Sequence, residues 1–242
     1  MIRLSRRARL GLLGAAGVLL LGVGALAWVW LRPLLATWPR LARLREYLAD
    51  PAAHTAWQLQ AGERCGEAPF IFPTTGYLGF GYGDSWQLGR QHTGYDIFGP
   101  PGVGQTPVIA AYPGYLTRRA DWKSTVIIRL PDDPLQPGRQ IWTYYTHMAD
   151  AAGRSLVDAA FPPGTTERWV AAGTELGRQG DYSGDPGNPV GLHLHFSIVR
   201  ADGQGGFLNE LKIENTLDPS PYFGLRAGVY ADWSQPIRCP AP

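Results

Sequence analysis

The sequence predicts a mostly β protein, and its composition is the first reason. Of the 242 residues, 31 are Gly and 21 are Pro, whereas charged residues make up only 17%. Many turn-forming residues with few charges favour short strands joined by turns over long, solvated helices. A hydrophobic content of 45% is ordinary for a globular protein with a buried core. We therefore expect a β-rich body, with helical segments in the N-terminal part of the chain.

Two segments in the second half of the chain have strand patterns. Residues 141–148 read IWTYYTHM, which is rich in β-branched and aromatic residues. Residues 191–199 read GLHLHFSIV, in which polar and apolar residues alternate. Residues two apart on a strand point to the same face, so we expect His193 and His195 to project into one site, with Phe196 on the opposite face.

The N-terminal segment 10–31 is predicted to cross a membrane as a helix. It reads LGLLGAAGVLLLGVGALAWVWL, an uncharged apolar run of the length that a bilayer requires. The preceding tail, 1–9, contains four arginines, which predicts a cytoplasmic N-terminus and an extracytoplasmic location for the rest of the chain. Four more arginines lie at positions 32 to 45. Charge alone therefore leaves the orientation open.

A cleaved signal peptide is the alternative interpretation of this segment. Residues 25–27, Ala-Leu-Ala, have the small-x-small form of a cleavage site after a basic region. We favour an uncleaved anchor because the apolar run continues through Trp28 and Trp30, placed as for an interfacial belt. Both interpretations export the body of the protein, either tethered to the cell membrane by a single pass or secreted.

The next segment, 32–65, is predicted to contain a short amphipathic helix. Leu41, Leu44 and Leu48 follow the i, i+3, i+7 spacing of one helical face, between Arg and Glu residues. This helix could serve as a juxtamembrane stalk, or it could pack on the domain that follows. The pattern leaves both arrangements open.

The two cysteines of the chain, Cys65 and Cys239, do not form a metal-binding motif such as CxxC. They bracket the segment that carries the motifs described below. Pairing them as a disulfide is one of two open outcomes, and it would fit an oxidising compartment. Closing so long a loop would stabilise the fold by about 4 to 5 kcal/mol, less any strain.

Nucleic acid is excluded as a partner by charge. The formal net charge is only +2, and no dense Lys/Arg run occurs in the globular part.

Four of the five histidines fall in the segment 70–223, and the spacing of three of them points to a metal site. His92 and Asp96 form an HxxxD motif, and His193 and His195 form an HxH motif. On a straight strand His92 and Asp96 would lie about 13 Å apart, so sharing an ion requires a turn, which we expect Gly94 to permit. Two imidazoles and one carboxylate would leave a fourth zinc position for water, the catalytic arrangement. The alternative is ordinary histidines satisfied by hydrogen bonds.

The order of these motifs resembles that of the M23 metallopeptidases, the lysostaphin and LytM type of peptidoglycan endopeptidase. The resemblance covers about residues 70 to 223 and lies in the ordered set, not in one motif. The set consists of HTGYDI at 92–97, TPVIA at 106–110 with Gly114, YTHM at 145–148, the segment 173–180, and HLHF at 193–196.

The resemblance implies a compact antiparallel β-sheet groove with one zinc ion. His92, Asp96 and His195 would be the zinc ligands, and His147 and His193 would be unliganded catalytic histidines. Tyr145 has the same parity as His147, but cross-strand packing is the interpretation we favour for it. Two departures from the family pattern stand out: Gln91, where many relatives have a second histidine, and the long stretch DYSGDPGNPVG at 181–191, which could reshape access to the groove.

We therefore expect a zinc-dependent endopeptidase that hydrolyses peptide bonds in cell-wall peptidoglycan. The predicted organisation is a basic tail (1–9), a transmembrane helix (10–31), a stalk (32–65), a metallopeptidase domain (66–230) and a C-terminal tail (231–242). One rival function is a non-catalytic M23-like scaffold that binds or activates another wall hydrolase. A second is a carbohydrate- or peptide-binding module with a structural ion, although such zinc sites usually have four protein ligands.

Overall fold

The computed structural model describes residues 6–85, 90–227, 231, 233 and 235–240. Within this part of the chain, a long helix precedes ten short strands, which confirms the mostly β prediction. The strands are β1 (Tyr77–Phe80), β2 (Tyr95–Phe98), β3 (Pro107–Ile109), β4 (Gly114–Thr117), β5 (Val126–Leu130), β6 (Ile141–Thr146), β7 (Arg168–Val170), β8 (Glu175–Arg178), β9 (Leu194–Arg200) and β10 (Thr216–Leu217). The helices are α1 (Arg6–Ala49) and α2 (Ser220–Phe223), with 3-10 turns at Thr55–Trp57 and Ile213–Asn215.

The strands form one large antiparallel sheet and one small ladder. In the large sheet the strand order is β1-β2-β9-β6-β5-β4-β7, with β10 also paired to β9, and the small ladder joins β3 to β8. β9 lies between β2 and β6, which places His195 directly opposite both Asp96 and Thr146. The three strands that contain or adjoin the predicted site residues are therefore immediate neighbours.

One face of strands β2 and β9 packs in the hydrophobic core, and the other face carries the candidate site residues. Tyr95 and Ile97 of β2, together with Leu194 and Phe196 of β9, are fully buried in the main hydrophobic core. Since side chains alternate along a strand, the residues between them point to the other face. Asp96 and His195 thus share the face away from the core, as the sequence pattern predicts for His195.

The C-terminal half of α1 packs on the sheet. Leu44 and Tyr47 are buried against Tyr77 of β1 and Phe98 of β2. Leu48, on the predicted apolar face, is 49% exposed. Of the two arrangements that the sequence left open for this helix, packing on the domain is the one observed.

A buried charge reinforces this contact of α1. Arg40 forms an ion pair with Asp84, and both side chains are 0% exposed. The Arg40 guanidinium also lies 3.8 Å from the ring centroid of Trp233, a favourable cation–π geometry. The helix is therefore joined to the turn that precedes β2 and to the C-terminal segment.

No helix in the described part of the chain is long and apolar enough to cross a membrane. The predicted transmembrane span at 10–31 is not supported by this finding. Within that span, the side chains of residues 10–19 and of Trp30 are not among those that the structure describes.

The C-terminal segment is attached to the domain by a covalent bond and by packing. Cys65 and Cys239 form a disulfide across a sequence separation of 174 residues. Chain-entropy arguments give such a crosslink about 5 kcal/mol. Trp233 and Ile237, from the segment predicted to be a tail, are buried in the main core.

Candidate metal and catalytic site

Three potential ligands meet on the site face of the sheet. Asp96 and His195 are cross-strand partners on β2 and β9, so their side chains emerge side by side. His92 lies before β2, where its backbone exchanges hydrogen bonds with the turn at 83–84: the Gly83 amide donates to the His92 carbonyl at 2.8 Å, and the His92 amide donates to the Asp84 carbonyl at 2.7 Å. All three side chains are buried.

The ligand atoms are close enough to share one ion. His92 Nε2 lies 3.0 Å from both Asp96 Oδ1 and His195 Nδ1, and the latter two atoms are 2.8 Å apart. Ligands held at zinc–nitrogen and zinc–oxygen distances on a tetrahedral ion are roughly 3.3 Å from one another. The three atoms are thus near the required triangle, and a small outward movement would admit zinc.

Gly94 brings the strands together for a different reason from the one the sequence suggested. Its φ angle is not in the left-handed region, so no glycine-specific turn is made there. Instead, a Cβ at this position would lie 2.0 Å from the Phe196 carbonyl oxygen of β9. Gly94 permits the close approach of the segment after His92 to the strand that carries His195.

Two more histidines border the three ligands without joining them. His147 follows β6, and its Nδ1 is 2.6 Å from the Tyr182 carbonyl oxygen. His193 precedes β9, and its Nδ1 is 2.9 Å from the Gly191 carbonyl oxygen. A carbonyl can only accept a hydrogen bond, so each Nδ1 carries the proton and each neutral ring keeps a lone pair on Nε2.

The geometry of these two histidines is distinctive. Their ring centroids are 4.6 Å apart. His193 Nε2 lies 3.6 Å from Asp96 Oδ1, and its ring stacks on Phe98. His147 has a φ angle of 72°, in the left-handed region that few non-glycine residues adopt. Strained backbone of this kind clusters at functional sites.

Burial and neighbouring charges shift the pKa values of His147, His193 and Asp96. Burial, followed by repulsion from His193 and His195, lowers the pKa of His147 to about 3. Burial also lowers the pKa of His193. Burial would raise the pKa of Asp96, but His92 and His193 hold it well below its usual range. At neutral pH the site therefore pairs a carboxylate with two neutral histidines.

His195 titrates in the opposite direction from His147 and His193. Burial acts to lower its pKa, but Glu210 and Asp96, which accept its hydrogen bonds, raise the pKa to about 10. Burial would likewise raise the pKa of Glu210, yet its contacts with His195 lower it to about 2. These directions describe the protein without a metal ion, whose charge would favour neutral His195.

The site opens into a groove of about 910 Å³. Ser183 and Val190, from the long stretch at 181–191, line it, as do Gln91 and Leu41 of α1. Both departures from the family pattern thus border the groove, where they can affect what enters.

Tyr144 and Glu210 are among the groove residues that the sequence did not single out. Tyr144 lines the groove, whereas Tyr145 is fully buried, with its hydroxyl accepting a hydrogen bond from the Ala111 amide at 2.9 Å. The packing interpretation of Tyr145 is confirmed. The other missed residue is Glu210, which contacts His195 but has no motif spacing that could reveal it.

Comparisons with known proteins show similarity to M23 structures. No protein-family profile and no curated protein matches the chain. An M23-type peptidase structure from Pseudomonas aeruginosa is 22% identical, with 76% of this chain and 62% of that chain covered and a TM-score of 0.37. The catalytic domain of the M23 protein EnpA from Enterococcus faecalis is 25% identical, with 62% and 95% covered and a TM-score of 0.35. Csd3 from Helicobacter pylori is 16% identical, with 64% and 33% covered and a TM-score of 0.38.

The first two of these structures are M23 proteins, the family that the sequence motifs resemble. The chain spans less than two thirds of the Pseudomonas and Helicobacter structures. All three TM-scores are below 0.5, so the chemistry of the site is inferred from its own geometry and not from these structures.

Proposed function

We propose that the protein is a zinc-dependent endopeptidase that hydrolyses peptide bonds in cell-wall peptidoglycan. One observation carries the proposal: two histidines and an aspartate converge within metal-ligand distance, while two further histidines beside them stay outside the ligand set. Three protein ligands leave a coordination position open, which is typical of catalytic zinc and not of structural zinc.

His92, Asp96 and His195 would hold the ion. The imidazole and carboxylate donors suit zinc, and their atoms lie within 4.8 Å of one another. When bound, zinc would polarise the scissile carbonyl and lower the pKa of a water molecule to about 7.

His147 and His193 would handle the protons of the reaction. Each is neutral, with Nδ1–H fixed by a backbone carbonyl, so Nε2 of one ring can accept a proton from the attacking water. That ring can then donate this proton to the leaving amine, and the other ring could stabilise the oxyanion after taking up a proton from solvent. His193 is nearer the Asp96 carboxylate, whose charge partly opposes the lowering of the His193 pKa by burial.

The substrate assignment rests on the motif resemblance and on the shape of the site. The groove is lined by apolar and polar side chains, including Phe80, Tyr144 and Thr93. Such a surface can accept an extended peptide. Peptidoglycan stem or bridge peptides are the substrates that the M23 resemblance implies.

We further infer that the domain works outside the cytoplasm. Disulfides persist in oxidising compartments, and Cys65 and Cys239 are bonded. Tethering of the domain by residues 10–31 remains a prediction from the sequence alone.

The test uses the purified full-length chain. Elemental analysis gives the bound metal, and incubation with peptidoglycan, with and without a chelator, is followed by mass spectrometry of released fragments. We expect about one zinc per chain and cleavage that stops with chelator and returns with added zinc. Bound zinc without cleavage of any wall type would favour the non-catalytic scaffold, in spite of the full residue set.

A further inference from the structure

Glu210 is a largely buried carboxylate that belongs to neither the ligand set nor the catalytic pair. It lies in the loop between β9 and the 3-10 turn at Ile213–Asn215, and its side chain is only 10% exposed. Buried carboxylates are costly unless hydrogen bonds compensate them, so the contacts of this side chain require an explanation.

Three hydrogen bonds between Glu210 and other described residues converge on a single oxygen, Oε1. His195 Nε2 lies 2.8 Å from it, the Thr93 hydroxyl donates to it at 2.7 Å, and the Ser197 hydroxyl donates at 3.3 Å. Thr93 directly follows the ligand His92, and Ser197 lies two residues after the ligand His195 on the same face of β9. The carboxylate therefore links the two segments that carry the histidine ligands.

The contact with His195 determines which nitrogen of that ring is available. His195 directs Nδ1 at Asp96 Oδ1 and His92 Nε2, the other two ligand atoms. A carboxylate accepts hydrogen bonds, so the Nε2 side of the ring carries a proton toward Glu210. Neutral His195 then has its lone pair on Nδ1, where an ion shared with Asp96 would be.

His92 offers a contrast within the same site. Its Nδ1 is 3.0 Å from the Gly81 carbonyl oxygen, which leaves Nε2 for the ion. One histidine ligand is thus supported by a neutral backbone group and the other by a charged side chain. A charged acceptor makes the imidazole a stronger donor to a metal.

We propose that Glu210 is a positioning residue of the metal centre, which holds His195 in the tautomer and ring orientation that bind zinc. The inference rests on the proposed zinc site. Removing such a hydrogen-bond partner of a ligating histidine typically weakens metal binding 10- to 100-fold.

The experiment measures zinc affinity on the full-length chain, by competition with a chromophoric chelator, and so does not depend on hydrolysis. We expect Glu210→Gln to weaken zinc binding about 10-fold, because the amide oxygen still accepts a hydrogen bond but carries no charge, and Glu210→Ala to weaken it up to about 100-fold. Activity of both variants should recover at saturating zinc.

Two control variants separate positioning from general effects. Glu214→Gln removes the same charge from an exposed residue that also lines the groove. Ser197→Ala removes one hydrogen bond to Glu210 without touching its contact with His195. Both should bind zinc within about threefold of wild type, because neither change touches a ligating histidine.

The outcomes distinguish this inference from the proposed function. Wild-type protein that binds no zinc would overturn both. Tight zinc binding by wild type and equally tight binding by Glu210→Gln would overturn the role of Glu210 and leave the zinc site standing. The isosteric Gln variant keeps the test valid if Glu210→Ala fails to fold.

Discussion

The ligand histidines and the flanking histidines share one groove but differ in whether a ring nitrogen lies at hydrogen-bond distance from Asp96. His92 and His195 direct a ring nitrogen at Asp96, and each has its remaining nitrogen at an acceptor, Gly81 or Glu210. His147 and His193 are both anchored through Nδ1 to backbone carbonyls. His92 is also held through Nδ1 by a backbone carbonyl, so the hydrogen bond behind the ring does not by itself assign the roles. The distance of a ring nitrogen from Asp96 Oδ1 separates them: it is 3.0 Å for His92 and 2.8 Å for His195, but 3.6 Å for His193.

The electrostatic surroundings reinforce this division. His195 lies between two carboxylates, which raise its pKa to about 10, whereas burial lowers the pKa of His147 to about 3. The first environment attracts a positive charge, whether a proton or a metal ion. The second keeps an imidazole neutral, as a general base requires.

The largest effect should come from removing a ligand. Asp96→Ala and His195→Ala each leave two potential protein ligands, too few for a stable zinc site. We expect loss of both the bound zinc and essentially all hydrolysis, measured by elemental analysis and by fragment release. Full zinc occupancy in either variant would show that the ion binds elsewhere.

Replacing a flanking histidine should separate binding from catalysis. His147→Asn is preferable to the alanine variant because Asn tolerates the left-handed backbone at this position. We expect zinc content to stay at wild-type level and the hydrolysis rate to fall about 10²- to 10⁴-fold. Loss of zinc in this variant would mean that His147 is a ligand and not a base.

The sequence sufficed to predict those parts of the fold and site that depend on local pattern. Alternation in HLHFSIV placed His195 and Phe196 on opposite faces of β9, as observed. The convergence of His92 on Asp96 could also be expected, although Gly94 acts through close approach to Phe196 and not through a left-handed turn.

The sequence pattern could not predict contacts between residues far apart in the chain. Glu210 reaches His195 from a loop with no periodicity, and only the folded chain brings its carboxylate there. The docking of α1 was equally open, since an amphipathic helix has an apolar face whether it packs on a domain or not. Arg40, the residue that anchors it, reads in sequence as one more surface arginine.

A substitution of Arg40 tests whether the packing of α1 influences the ligand His92. Asp84, its ion-pair partner, accepts the Gly81 amide hydrogen bond at 2.6 Å, and Gly81 in turn accepts from His92. Removing one partner of a buried ion pair costs about 3 to 5 kcal/mol. We expect Arg40→Met to lower the free energy of unfolding by about this amount in urea titrations.

The matched control for this prediction is Arg45→Met, an exposed position on the same helix. It should change the free energy of unfolding by less than about 0.5 kcal/mol. If Arg40→Met also weakens zinc binding and Arg45→Met does not, the packing of α1 affects the position of His92 through the hydrogen bonds of the turn at 81–84. Equal stability of the two variants would contradict the role assigned to the buried ion pair.

The smallest expected effect is a pH dependence of stability in the metal-free protein. The folded-state pKa of His147 is about 3, below the unfolded value of about 6.5, so its contribution to stability is fully present above pH 6.5 and is lost as the pH falls toward 3. Between pH 7 and pH 5, wild type should lose about 1 to 2 kcal/mol more than His147→Asn in urea unfolding with chelator present. Carboxylates titrate mostly below this window and are common to both proteins, so the difference reports the titration of His147 together with its repulsion of His193 and His195. Parallel pH profiles for the two proteins would show that folding does not lower the pKa of His147. The contrast between the pKa values of His147 and His195 would then be wrong.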